Sequence, residues 1–248
     1  MQQSNGYIIF YTIVLTVVCA VCLALASLGL KPYQDANKEL ERKQNILATV
    51  MKVKSREEAK DIYAKRVKSY VVDAEGVEVK GKKAEDIDVA AEYKKPSKER
   101  KLPIYEILSA DGSKTDFYVL PVFGFGLWND IWGYVALKGD LSTINGVKFD
   151  HKGETPGLGA RIASDEIQGR YVDKKIFEGD KLVAVLMAKG EMGGGDASVT
   201  AFKDKAHEVD GMSGATITGK GLTKMLQEYL GCYEKFIRSK MDKKLSLK

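Results

Sequence analysis

Cysteine is scarce in this chain, and its three copies, Cys19, Cys22 and Cys232, are poorly placed for chemistry. Cys19 and Cys22 have C-x-x-C spacing but lie inside an apolar run with no further Cys or His nearby, so a closed zinc site lacks half its ligands. Outside that run Cys232 stands alone, which excludes an intramolecular disulfide there. No metal centre is expected. Segregated positive charge is also lacking: 39 Lys and Arg face 34 Asp and Glu, net +5, and the two signs are interspersed over most of the length. No basic stripe alternates with aromatic residues, so nucleic acid is not an expected partner. Neither collagen-like nor disordered composition appears. With 44% hydrophobic and 29% charged residues in 248, the chain has room for one membrane segment and one or two globular parts.

The longest absence is of charge. Residues 7–30 carry no ionisable acid or base stronger than tyrosine or cysteine. At about 1.5 Å per residue in a helix, this run exceeds a hydrocarbon core of roughly 30 Å and can span it with some tilt. A cleaved signal peptide is the rival, with Ala24-Leu25-Ala26 as its cleavage-like stretch. Its apolar core would be shorter, and residues 1–6 lack the Lys or Arg of a basic leader, so a retained anchor is expected. Lys31, Lys38, Arg42 and Lys43 follow the segment, and a positive-inside count would keep the globular part in the cytoplasm.

Beyond the anchor, residues 31–100 read as a helical stalk and a small α/β part. Residues 32–66 are helical in two pieces, residues 70–73 and 77–80 pair as a small hairpin, and the lysine-rich stretch 92–101 is an exposed linker or loop. Residues 101–230 form the main domain. Strands are expected at 104–108, 116–122, 132–137, 146–149 and 181–187, with Asp111-Gly112 turning the first hairpin. A short helix falls near 163–168 and a long one runs from Thr216 toward Lys240, leaving a basic tail at 231–248. The fold class is α+β, with a mostly antiparallel sheet.

The stretch that carries chemistry is Asp210-Gly211-Met212-Ser213-Gly214-Ala215-Thr216, followed by Ile217-Thr218-Gly219. Small residues precede an apolar-periodic run, so a tight turn delivers Thr216 to a helix N-terminus, where free N–H groups and the helix dipole attract phosphate oxygen. Simple capping by Ser213 or Thr216 is the plain alternative. Residues 214–220 also match a phosphate-binding NTPase loop up to Lys220. Gly221 stands where a Ser or Thr should meet magnesium, and charged residues replace the apolar strand that should precede the loop, which argues against nucleotide hydrolysis.

Three glycine-rich loops accompany this turn: Gly124-Phe125-Gly126-Leu127-Trp128, Glu154-Thr155-Pro156-Gly157-Leu158-Gly159, and residues 190–196. Each alone is an ordinary turn signal. With Asp-Gly-x-Ser-Gly-Ala-Thr, and with Pro32, Gln34 and Asn37 after the anchor, they resemble the C subunits of the sodium-translocating NADH:quinone oxidoreductase, over about residues 7–226. The G subunit of the Rnf electron-transport complex shares Glu-Thr-Pro-Gly-Leu-Gly and Asp-Gly-x-Ser-Gly-Ala-Thr and is the alternative. Gly-Leu-Trp and Asn45-Ile46-Leu47 favour the C subunits. Gly219 departs from the serine common in the family, without touching the attachment residue.

The resemblance implies FMN held covalently by a phosphoester to Thr216, installed by a flavin transferase. It implies a cofactor site that includes Asp210, Ser213, Gly214, Ala215 and Thr218 of the signature. Glu154 belongs to it as well, with Thr155, Leu158 and Gly159 lining the ring and Leu127 and Trp128 shielding it. Lys189 or the main-chain amides from Ser213 to Thr216 serve the phosphate or ring oxygens. The implied protein is a single-pass subunit of an inner-membrane oxidoreductase complex, its domain on the periplasmic side. It would carry electrons rather than bind NADH, with partner subunits and the lipid bilayer around it and no acid–base catalyst of its own.

Overall fold

The computed structural model describes residues 4–193 and 200–245, and the chain divides into two compact units, Met1–Lys43 and Gln44–Lys248. Residues 194–196 of the third glycine loop and 246–248 of the tail lie outside the described residues.

Helix α1, Asn5–Ala48, makes the first unit and contributes its last turn to the second. It is long and apolar enough to cross a membrane, and its large side chains, Phe10, Leu23 and Leu28 among them, are exposed. The hydroxyls of Thr12 and Thr16 donate to the carbonyls of Ile8 and Thr12 at 2.8 Å, so these polar groups are satisfied within the helix, as a lipid environment demands. The helix does not end at residue 30. It continues through Pro32, which lacks an N–H and so removes one intrahelical bond without ending the helix.

The second unit is built on a five-stranded antiparallel sheet in the order β1-β2-β3-β4-β5. The strands are β1 Val67–Val72, β2 Leu102–Leu108, β3 Thr115–Phe125, β4 Asp130–Lys138 and β5 Ile144–His151. Period-2 alternation sends Leu120, Val122, Val135 and Phe149 to one face. Val71, Tyr105, Ile107, Val119 and Ala136 point to the other, against Ile46, Leu47, Ala59 and Tyr63. Both faces are therefore buried. Helix α2, Arg56–Arg66, supplies Ala59 and Tyr63, and is capped by Ser55, whose Oγ accepts the Glu58 N–H at 3.1 Å, while the Glu58 carboxylate accepts the Lys54 N–H at 2.8 Å.

Residues 44–100, read from sequence as a stalk and separate small part, thus supply an edge strand and a covering layer to the same sheet. The stretch 92–101 differs most from its reading as an exposed linker. It contains the end of α3, Val89–Tyr93, with Glu92 buried and accepting the Lys101 N–H at 2.8 Å, and Arg100 stacks 4.7 Å from the Tyr93 ring centre. Lysine-rich composition hid two anchoring side chains. Residues 77–80 pair with β1 by a single bridge, Val72 to Glu78, rather than as a strand.

After β5 the chain forms a 3-10 turn, Gly159–Ala163, and α4, Asp165–Gly169, where one helix was expected. The strand expected at 181–187 is interrupted at Ala184, whose φ of 58° breaks the extended run. Its ends form β7, Lys181–Leu182, paired with β6, Phe177–Glu178, and β8, Leu186–Met187, parallel to β9, Glu208–Val209. Helix α5, Thr216–Leu245, then lies against the sheet. Leu222, Met225, Leu226, Tyr229, Leu230, Tyr233, Phe236 and Ile237 recur at helical spacing and are all buried. The segment expected to be a basic tail from residue 231 is therefore the second half of this core helix, and Lys240 within it donates to the buried Glu106 at 2.8 Å.

Candidate functional site

Thr216 is the first residue of α5 and is half-buried. The turn before it is closed by the Ala215 N–H donating to the Met212 carbonyl at 3.2 Å, and the Gly219 N–H makes the first helical bond to the Ala215 carbonyl at 3.0 Å. Gly214 has φ of 71°, a left-handed conformation that lets the chain reverse into the helix. A Cβ there would also lie 2.8 Å from Leu158, so the signature turn and the Glu154–Gly159 loop touch.

The β3–β4 loop reaches the same place. A Cβ on Gly221 would sit 2.3 Å from the Phe125 carbonyl oxygen, so the second turn of α5 packs backbone to backbone against the end of β3. This accounts for the missing NTPase hydroxyl: the position that should meet magnesium is filled by main chain. Residues 216–220 are helical, and only two-residue β9 precedes the turn, so a phosphate-binding NTPase loop is not formed.

Glu154 fastens these elements. Its carboxylate is buried, accepts the Trp128 N–H at 2.9 Å, and accepts the Thr218 hydroxyl at 2.6 Å. Burial pushes its pKa up, but the Thr218 hydroxyl and the N–H groups of Trp128, Asn129 and Leu127 outweigh that and hold it below the usual carboxylate range. Glu154 and Thr218 thus face inward, toward each other. Thr155 is exposed, and its carbonyl accepts the N–H groups of Leu158 at 3.1 Å and Ala160 at 3.2 Å, which fixes the loop's shape. Gly159, at the inner end of that loop, is buried.

On the other side of the turn, Asp210 is buried and accepts the N–H groups of Met192 at 3.0 Å and Gly211 at 2.9 Å. Glu191 accepts two bonds from Arg161, at 2.7 and 2.8 Å, one from Arg170 at 2.7 Å, and the Ser213 N–H at 3.1 Å. Led by the Arg161 guanidinium, these donors hold its pKa down to about 2. The amides of Ser213 and Ala215, expected among the phosphate ligands, therefore already have partners within the chain. Gly214 is exposed beside them. Lys189 is exposed between Ala188 and Gly190, whose carbonyls lie against Gly211. Sequence reasoning missed Arg161, Arg170 and Glu191, since no motif marked the arginines and the Gly190 loop was singled out for its glycines.

Around Thr216 the converging loops expose large apolar side chains: Trp128 at 69%, Leu127, Leu158, Met192 and Ile217. Such side chains beside a helix N-terminus fit a ligand with a flat apolar body and an anionic end. FMN has that chemistry, and the residues present suit it.

Comparison with known proteins agrees. The FMN-binding domain family matches residues 126–231. The chain is 32% identical to the C subunit of the Na(+)-translocating NADH-quinone reductase of Haemophilus ducreyi, over 88% of this chain and 87% of that one. It is also 32% identical to the corresponding protein of Pseudomonas aeruginosa, over 93% of each. A crystal structure of the C subunit from Parabacteroides distasonis superposes with a TM-score of 0.70 at 33% identity, covering 84% of this chain and 96% of that one. These relatives favour the C subunit over the Rnf G subunit. With a C-subunit sequence over most of its length and the FMN-binding domain at its sheet and long helix, the chain belongs to the family of Na(+)-translocating NADH-quinone reductase C subunits.

Proposed function

We propose that this chain is the membrane-anchored flavin subunit of such a reductase, with one FMN esterified to the Thr216 hydroxyl, and that it passes electrons between partner subunits. The observation that carries this reading is the meeting of the signature turn, the Glu154–Gly159 loop and the β3–β4 loop at the start of α5, with large apolar side chains of these loops left exposed. FMN supplies the redox chemistry when bound. The chain's own residues hold it. The helix N-terminus favours the phosphate charge, while Leu158, Ile217, Leu127 and Trp128 offer a surface that excludes water from one side of a ring. Lys189 is an exposed cation beside the turn, suited to a phosphate or ring oxygen. No side chain must accept or donate a proton for electrons alone to pass. A covalent link keeps the effective concentration of cofactor constant in dilute surroundings.

The test is a denaturing gel of the full chain made together with a flavin transferase. A fluorescent band at the chain's mass is expected, and a flavin that is lost on denaturation would overturn the tether. Ring contact by the second loop predicts that Leu158→Ala and Thr155→Ala retain the band but shift the visible spectrum. Unchanged spectra in both would place the ring elsewhere.

We further propose that α1 spans the inner membrane and that the domain lies on its outer side. The full chain should then resist carbonate extraction, and alkaline phosphatase fused after Lys248 should be active. An inactive fusion would support the opposite orientation, which the four basic residues after the anchor favour.

A further inference from the structure

Arg170 lies at the end of α4 with its side chain 3% exposed, and it directs its donors at the attachment turn. One terminal nitrogen donates to the carbonyls of Gly211 at 2.5 Å and Asp210 at 3.4 Å, and the other to Glu166 and Glu191, both at 2.7 Å. Glu191 in turn takes the Ser213 N–H, three residues before Thr216. Arg161 fixes the same carboxylate from a second direction and also approaches Glu166 at 3.3 Å. The turn is thus gripped at three places, the carbonyls of 210 and 211 and the amide of 213, by side chains from outside the signature.

This grip does not resemble a device for stability alone. A buried ion network usually contributes little over well-packed apolar residues, and its best-attested use is to fix one geometry among several. The geometry fixed here is that of the segment ending in Thr216. A hydroxyl forms a phosphoester only when it reaches phosphorus in line with the leaving group, and misplacement by about 1 Å costs roughly a hundredfold in rate.

We propose that Glu191, held by Arg161 and Arg170, is a positioning residue for flavin transfer: it sets the Asp210–Thr216 turn so that the Thr216 hydroxyl is presented to an activated flavin nucleotide. This rests on Thr216 being the attachment residue. In the transfer, the Thr216 oxygen forms a bond to the flavin-side phosphorus and the phosphoanhydride bond breaks. The departing nucleotide takes the electron pair, and the hydroxyl proton passes to a base of the transferase. Glu191 takes no part in these bonds, because it acts through the Ser213 amide.

The experiment follows covalent flavin against time on the purified full chain in detergent, mixed with the transferase and flavin adenine dinucleotide. Rates are normalised to folded chain by circular dichroism and thermal midpoint. Glu191→Ala is expected to be modified about tenfold to a hundredfold more slowly per folded chain. The loss should lie in the turnover number rather than in the KM for the chain, and exchange protection of the Ser213 amide should fall. Glu191→Gln keeps an acceptor for that amide and should be intermediate. Arg161→Ala, changed at the more exposed side of the network, should show the same pattern and keeps the test decisive if Glu191→Ala does not fold. Variants modified at the parental rate per folded chain would overturn the proposal. So would a rate loss matched by an equal loss of folded chain. A parent that takes up no covalent flavin, or Thr216→Ala that still does, would instead contradict the attachment reading itself.

Discussion

Glu154→Ala is expected to loosen the whole site, lowering stability by about 3 kcal/mol, because it strips a buried acceptor from several donors at once. The Trp128 N–H and the Thr218 hydroxyl would lose their partner, and the β3–β4 loop would lose its tie to α5. Glu154→Gln should cost less, since its oxygen can accept from Trp128 while its amide donates to the Thr218 oxygen. Acid should mimic the loss. The folded carboxyl titrates below its unfolded value, so its contribution is complete above about pH 5 and disappears as pH falls through the lower, folded value. Urea midpoints at neutral and acid pH test this. The parent should lose more stability on acidification than either variant, and equal losses would show that Glu154 is not the fastening.

Thr216→Ala is expected to abolish covalent flavin while leaving the fold intact. The residue is half-buried at the first position of α5, and alanine is a good helix former there. Thr216→Ser keeps the oxygen but loses the methyl that limits its rotamers, so slower attachment is expected. Thr218→Ala should still be modified at Thr216, yet be less stable, because its hydroxyl serves Glu154. A Thr216→Ala chain that fluoresces after denaturation would move the tether to another hydroxyl.

The family signatures were legible in sequence because each is a local run whose composition departs from ordinary turns. The antiparallel strands and Asp111-Gly112 hairpin were legible for a similar reason, since period-2 alternation and a turn dipeptide are local signals. What each signature residue touches was not legible. Glu154 and Thr155 are adjacent in sequence, yet one is buried as a hydrogen-bond hub and the other is exposed. That difference depends on α5 coming within van der Waals reach of the β3–β4 loop at Gly221, a contact between stretches far apart along the chain. Long-range pairing also explains the core role of residues 231–245. Their charge reads as that of a tail, but the Lys240 ammonium and Arg238 guanidinium lie over the Phe236 and Phe177 rings while also reaching Glu106 and Glu234. The break at Ala184 had no signal, because alanine rarely adopts positive φ.

Peptide mass spectrometry of the full chain made with a flavin transferase can locate the FMN on Thr216. The fragment containing Asp210 to Lys220 should carry the added mass of FMN, with fragmentation assigning it to Thr216. An unmodified fragment, or one modified at Ser213 or Thr218, would contradict attachment at Thr216.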